Sequence, residues 1–252
     1  MSTIATDGAL IGAGGTLPDR APFSRAGKLV RWIEMAILFG FAPIVMNWLV
    51  HGEHIPFLSD YIPSGTKIPI FVALLPVLFI AAFLLLIDRT FRLRDELRRG
   101  IGWKNALTIV MVFLIAGSAA TLWIKANHPS WFLEFPTNRP DTYMRIMIAY
   151  PIFSVAAQEL LYRSFFFHRY GPLFGSHTWL LVTLNGLLFG YAHIVMNSAF
   201  AIAATALGGL ILAARYAASR SFWAVFIEHT LWGWLIFTIG LGRYFFTGIS
   251  NV

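Results

Sequence analysis

The stretch from Ile68 to Ile87 has the sequence IPIFVALLPVLFIAAFLLLI and holds no charged side chain over twenty residues. A helix needs about 20 mainly apolar residues to cross the roughly 30 Å of hydrocarbon in a bilayer. The run is apolar throughout and lacks the alternation that a membrane β-strand requires. The stretch therefore predicts a transmembrane α-helix.

Other parts of the chain have the same apolar character. They are Leu29–Val50, Ala106–Ile124, Met144–Phe167, Trp179–Val195, Phe200–Ala214 and Trp223–Leu241. The composition of the 252 residues agrees, because 58% are hydrophobic and only 12% are charged, about half the charged share of a typical soluble domain. We predict an all-α fold, a polytopic transmembrane helical bundle of about seven spans.

Lys and Arg residues gather in alternate connections between the predicted spans. The N-terminal region and the second, fourth and sixth loops carry them, whereas the first, third and fifth loops are poor in them. By the positive-inside rule, this pattern places the N-terminus inside and the C-terminus outside. The net charge of +7 then indicates basic cytoplasmic loops facing membrane lipids, with no nucleic acid as a partner.

We divide the chain into three regions. Residues 1–27 are rich in Gly, Ser and Thr, show no periodicity, and are expected to form a flexible cytoplasmic tail without a cleavable signal. Residues 28–125 are expected to hold the N-terminal transmembrane helices, and residues 143–242 a C-terminal transmembrane core. The sequence has no cysteine, which excludes disulfides and thiolate chemistry.

The predicted sixth span has small residues at intervals of four. They are Ala201, Thr205 and Gly209 in one row, and Ala204 and Gly208 in another. Small residues at this interval let two membrane helices approach closely. We interpret the rows as a packing feature.

The predicted fourth span contains ionisable side chains, which are costly inside a membrane and are functional candidates for that reason. Glu159 and Arg163 are four residues apart, so they share a helix face and are able to pair. Gln158 precedes Glu159, and Pro151 is expected to kink the helix. The structural alternative is a buried ion pair that only orients helices.

Two histidines lie in later spans, His193 in the fifth and His229 in the seventh. Counted at 1.5 Å per residue, both fall at a depth similar to that of Glu159, so the three groups are able to meet. Adjacent helical residues point about 100° apart. Glu228 and His229 therefore cannot both face one site, and the sequence leaves open which of them does. The alternative for each histidine is a hydrogen-bonded core residue.

Three motifs on separate predicted spans resemble those of a known family. They are Gln158-Glu159-Leu-Leu-Tyr-Arg163, Phe189-Gly-Tyr-Ala-His193 and His229-Thr-Leu-Trp-Gly233. In order and spacing they are similar to the Glu-Glu-x-x-x-Arg, Phe-x-x-x-His and His-x-x-x-Asn motifs of the CPBP family (CAAX protease and bacteriocin-processing, or ABI). This family consists of glutamic intramembrane proteases, and the resemblance covers about Tyr143 to Leu241.

The resemblance implies an intramembrane endopeptidase that cuts a membrane-associated protein or peptide and needs no cofactor or metal. Glu159 with His193 would activate water, and His229 would stabilise the oxyanion. Arg163 would hold Glu159, and Gln158 would orient the water. The expected location is a bacterial cell (inner) membrane, as a multi-pass protein.

The chain departs from the family pattern at two positions. Gln158 stands where the first glutamate is usual, and Gly233 stands where an Asn is usual. Asn185 or Asn197 would be able to supply the missing oxyanion donor. The departures favour an alternative in which the protein is an inactive pseudoprotease that binds or escorts membrane proteins.

Two further functions are compatible with these residue types. A metal-dependent membrane hydrolase would use His193, His229 and a carboxylate as ligands, since catalytic zinc takes three such ligands plus water. A transporter would use Glu159 and the histidines as a proton relay.

Overall fold

The computed structural model describes residues 24–55, 57–58 and 60–245, so most of the predicted N-terminal tail lies outside the described residues. The first helix begins at Arg25. The Ser24 side chain caps it by accepting a hydrogen bond from the Gly27 amide at 3.1 Å.

The described residues form helices and the turns between them, with no strand among them. In chain order the helices are α1 (Arg25–His51), α2 (Ile70–Ile87), α3 (Leu93–Arg98), α4 (Trp103–Asn127), α5 (Glu134–Asn138), α6 (Pro140–Phe174), α7 (Thr178–Tyr191), α8 (Ala199–Ser219) and α9 (Phe222–Thr238). A 3-10 segment, Ala192–Met196, continues α7. The predicted all-α fold is confirmed.

Within the described part of the chain, five helices are long and apolar enough to cross a membrane, namely α1, α4, α6, α8 and α7 with its 3-10 extension. The apolar part of α2, Val72–Ile87, is shorter, and α9 has 17 residues. These helices form an all-α membrane bundle, and seven remains the predicted number of spans.

Large apolar side chains cover much of the outside of the bundle. Phe79, Leu86 and Trp103, for example, are 69%, 85% and 72% exposed. Soluble monomers rarely expose extended apolar surface. Lipid tails would solvate this exterior, in keeping with an integral membrane protein.

Helices α7 and α8 approach each other at glycine positions. A Cβ atom on Gly190 would lie 2.5 Å from the Cβ of Ala206, and one on Gly209 would lie 2.9 Å from the carbonyl oxygen of Gly186. The predicted row that ends at Gly209 therefore lies in this contact. The other row behaves differently, since a Cβ on Gly208 would meet nothing within 4 Å.

Polar side chains join the segments around α2 and α3 to α6. The Ser164 hydroxyl donates to Oε1 of Glu96 at 2.9 Å.

Asp88, at the end of α2, contacts His168 of α6. Burial alone would raise the pKa of Asp88, but hydrogen bonds from the Thr90 hydroxyl and amide and the contact with His168 outweigh burial and lower the pKa to about 2. Asp88 is therefore ionised at neutral pH, and it anchors the end of α2 to α6.

Candidate active site

The middle of α6 departs from α-helical geometry on both sides of Glu159. Two π-helical segments, Tyr150–Val155 and Leu160–Phe165, flank the single α-helical turn Ala156–Glu159. Pro151 lies in the first segment and has no backbone N–H to give to the helix. The irregularity predicted at Pro151 thus takes the form of a π-helical segment, a feature frequent at functional sites.

The carboxylate of Glu159 contacts two cationic or titratable partners, and its side chain is 0% exposed. Its Oε2 lies 3.2 Å from Nε of Arg163, whose side chain is also 0% exposed. Its Oε1 lies 2.8 Å from Nδ1 of His229. The first and third motifs, about seventy residues apart in the chain, therefore meet at one carboxylate.

Arg163 is held from a second side by residues of α7. Its Nη1 donates to Oδ1 of Asn185 at 3.0 Å, and its guanidinium lies 4.8 Å from the centre of the Phe189 ring. Asn185, also buried, donates from Nδ2 to the backbone oxygen of Tyr162 at 2.7 Å. Both ends of the Asn185 amide are thus engaged, and it holds Arg163 instead of facing a substrate.

The amide of Gln158 is oriented by Ser154. Its Nε2 donates to the Ser154 hydroxyl at 2.8 Å, which leaves Oε1 as the atom that is able to accept from a ligand. That oxygen is buried and has no hydrogen-bond partner among the described residues.

Further unpaired polar atoms lie close by. Arg163 Nη2 and Thr230 Oγ1 are buried without a hydrogen-bond partner in the part of the chain that the structure describes, and Glu159 Oε2 and Arg163 Nε make no hydrogen bond beyond their ion pair with each other. Native proteins leave few buried polar atoms unpaired, and those few call for a functional or hydration role. The concentration of such atoms around Glu159 marks a place where water or a polar substrate group is able to bind.

His193 lies in the 3-10 segment that follows α7. Its Nδ1 is 2.8 Å from the backbone oxygen of Phe189, which only accepts, so Nδ1 carries the proton and Nε2 keeps its lone pair in the neutral ring. The Phe189 ring centre lies 4.9 Å from that of His193 and 5.7 Å from that of His229. The second motif therefore adjoins the first and third through Phe189.

The question left open between Glu228 and His229 is answered by their partners. His229 faces Glu159, whereas the Glu228 carboxylate pairs with Arg215, whose Nη1 also donates to the Thr108 hydroxyl at 2.9 Å. Glu228 therefore belongs to a contact among α4, α8 and α9, away from His229.

Asn197, the other residue predicted as a possible oxyanion donor, caps the 3-10 segment with a left-handed φ of 49° and is exposed. Asn185 is buried with both its amide oxygen and its amide nitrogen bonded to α6, and Asn197 lies at the exposed end of the 3-10 segment. The structure thus assigns both amides to the scaffold. Sequence reasoning missed Asn185 as the partner of Arg163, for which the only signal was a polar residue within an apolar span.

Across the described ranges, no three His, Cys, Asp or Glu side chains come together as a metal site requires. His193 and His229 both contact the Phe189 ring, but Glu159 Oε1 is directed at the imidazole Nδ1 of His229. The metal-dependent hydrolase therefore has no donor set among these residues.

The comparisons with known proteins bear on this segment. Residues 140–235 match the family described as type II CAAX prenyl endopeptidase Rce1-like, and this match confirms the resemblance to the CPBP/CAAX protease family that the motifs of this segment predicted. The match begins with α6 and includes all three motifs. Comparisons with curated proteins and with solved structures gave no match.

Proposed function

We propose that this protein, whose residues 140–235 match the Rce1-like family of type II CAAX prenyl endopeptidases, is an intramembrane endopeptidase. One observation carries the proposal: the buried Glu159 carboxylate joins Arg163 to His229, beside the Phe189 ring that His193 also contacts. Side chains from three separate motifs thus supply a base, a charge and hydrogen-bond donors at one place, as hydrolysis of a peptide bond requires.

The proposed substrate is a membrane-associated protein or peptide, with a prenylated CAAX end as the first class to test because the matched family carries that name. The site lies on α6, α9 and the extension of α7, and two of these are long enough to span a membrane. The proposed location is a bacterial cell membrane, where the basic loops would contact anionic lipids.

His193 is the proposed general base. Its Nδ1 donates to the Phe189 carbonyl, so Nε2 is the atom that takes a proton from water as the water oxygen attacks the scissile carbonyl carbon. The same proton then passes to the leaving nitrogen when the C–N bond breaks. Proton transfer by a positioned side chain typically contributes about 10²–10⁴-fold to a rate.

Glu159 is proposed to act through His229. The sequence suggested that Glu159 takes the proton from water with His193, but a carboxylate already bound to Arg163 and His229 is better placed to stabilise a protonated His229. Protonated His229 would then donate from Nε2 to the oxyanion. Arg163, Glu159 and protonated His229 together carry one net positive charge, which suits a developing oxyanion.

Gln158 is proposed to orient the water. Its Oε1 accepts hydrogen bonds but is too weakly basic to take a proton from water. Ser154 fixes the amide so that this oxygen is free to accept. It would hold one hydrogen of the water while His193 removes the other.

The test is cleavage by the full-length protein in liposomes. An internally quenched peptide ending in prenylated Cys-aliphatic-aliphatic-X is followed by fluorescence and mass spectrometry, with the unprenylated peptide alongside. We expect Glu159→Ala and His193→Ala to lower kcat by about 10²-fold or more. The matched controls Glu53→Ala and His177→Ala, at exposed positions, should keep the wild-type rate. Full activity in both active-site variants would overturn the proposal.

A pseudoprotease is the second candidate, and the residues at 158 and 233 favour it because Gln is no base and Gly has no side-chain donor. In this function the Glu159 pairing with Arg163 and His229 would serve only to hold α6 against α9. The distinguishing result is association with a membrane-protein partner that survives both active-site substitutions, without cleavage of any peptide bond.

A further inference from the structure

Gly233 stands one helical turn after His229, and the space beside its Cα is filled by Tyr150. A Cβ atom built on Gly233 would lie 2.2 Å from Cε1 and 2.5 Å from Oη of Tyr150. Contacts below 3.0 Å require something to move. The Tyr150 phenol therefore occupies the volume in which any larger residue at 233 would begin its side chain.

The Tyr150 hydroxyl consequently lies on the face of α9 that carries His229. Residues four apart share a helix face, so a side chain at 233 would project beside His229. The Tyr150 ring meets the His229 ring edge to face, with centres 6.1 Å apart, and meets the Phe237 ring with centres 5.5 Å apart. These rings fix the phenol next to the imidazole that Glu159 holds.

The hydroxyl is available as a donor. The structure gives Tyr150 Oη no hydrogen-bond partner among the residues it describes, whereas Tyr143, two turns earlier on α6, bonds through its hydroxyl to Thr238 at 2.9 Å. Asn185 and Asn197 have been assigned to the scaffold above. Tyr150 is also the first residue of a π-helical segment and precedes Pro151, so it lies where α6 changes from α-helical to π-helical geometry.

We propose that Tyr150 is a catalytic residue whose hydroxyl donates to the oxyanion beside His229, in place of a side chain at position 233. The assignment rests on the proposed function. As water adds to the carbonyl carbon, the carbonyl π electrons move to oxygen, and Tyr150 Oη–H stabilises that oxygen by hydrogen bonding while keeping its own proton. The departure from the family pattern at position 233 then has a spatial reason, because Gly233 makes room for Tyr150.

The decisive variant is Tyr150→Phe, which keeps the ring and removes the donor. Loss of one oxyanion donor lowers kcat by about 10²–10³-fold, so we expect a fall of that size with little change in KM. Tyr143→Phe is the matched control on the same helix and should keep the wild-type kcat. Thermal unfolding in detergent should be alike for the two variants, which separates lost chemistry from lost folding.

A side-chain exchange tests the coupling. Tyr150→Ala alone should lose activity. The double variant Tyr150→Ala/Gly233→Asn should have a kcat at least about tenfold higher than Tyr150→Ala, since the Asn amide can then enter the vacated space. Gly233→Asn alone should lower both stability and kcat, because it collides with Tyr150.

The outcomes separate this assignment from the proposed function. Cleavage by the wild type with an unchanged kcat in Tyr150→Phe would overturn the role of Tyr150 and leave the endopeptidase standing. A wild type that cuts neither peptide would overturn the endopeptidase, and the oxyanion role of Tyr150 with it.

Discussion

At the scale of the residue, Glu159 combines a structural and a chemical role. Its carboxylate lies between Arg163 and His229 with no exposed surface, and breaking a buried pair by removing one partner leaves an uncompensated charge. A single Glu159 variant would therefore lose activity both through a less stable fold and through a missing catalytic group. Replacing Arg163 by a neutral residue as well separates the effect on stability from the effect on catalysis.

Glu159→Gln should destabilise the protein by roughly 3–5 kcal/mol, because it leaves the Arg163 charge buried without its partner. Combining it with Arg163→Met should recover much of that stability, since the isolated charge is gone. We expect the double variant to stay inactive because nothing then holds His229 protonated. Thermal unfolding and peptide cleavage are measured on both variants. Recovery of activity along with stability would show that Glu159 is only structural.

Single residues also show which contacts of the site could be predicted from the sequence. The spacing of Glu159 and Arg163 predicted their pairing, and the ionic contact at 3.2 Å confirms it. The spacing did not decide between Glu228 and His229, because helical phase says which residues share a face and not which face turns inward. It also missed the fit of Tyr150 against Gly233, which depends on how α6 and α9 cross.

At the scale of the element, the crossing of α7 and α8 positions His193. The glycines of this crossing bring the two backbones together just before the 3-10 segment that carries His193. The apolar runs predicted the helices, and the small residues of α8 predicted close packing. Pro151 predicted an irregularity in α6 but not its π-helical form, and the second π-helical segment, Leu160–Phe165, had no signal in the sequence.

Gly190→Ala should lower both the unfolding temperature and kcat, because the added Cβ would lie 2.5 Å from that of Ala206 and overpacking costs about 1–3 kcal/mol. Gly208→Ala is the matched control, since its Cβ would meet nothing within 4 Å and Ala is favoured over Gly in a helix by roughly 0.5–1 kcal/mol. Thermal unfolding and cleavage are compared. Equal unfolding temperatures for the two variants would contradict the close crossing.

At the scale of the whole molecule, composition and apolar runs were sufficient to predict an all-α membrane bundle. The exposed apolar exterior agrees with that prediction. The number of spans is less well determined by sequence, because α9 has 17 residues and includes Glu228 and His229 near its middle. Ionisable residues that build a site lower the hydropathy of the helix that carries them.

The predicted orientation is testable because the chain has no cysteine, so one introduced thiol reports on one loop. Gly100→Cys and Ser176→Cys should react with a membrane-impermeant maleimide only from the cytoplasmic face. Thr66→Cys should react only from the opposite face, since α2 separates it from Gly100. Labelling of Thr66→Cys and Gly100→Cys from the same face would contradict α2 as a span.

The central claim is that the natural site, with Gln158 in place of a glutamate, hydrolyses peptide bonds through His193. The most direct measurement is single-turnover cleavage of the prenylated peptide in liposomes by the wild type, His193→Ala and Gln158→Glu, with products identified by mass spectrometry. We predict a defined product from the wild type that His193→Ala fails to form. A product from Gln158→Glu alone, with none from the wild type, would contradict the claim and identify the natural chain as a pseudoprotease.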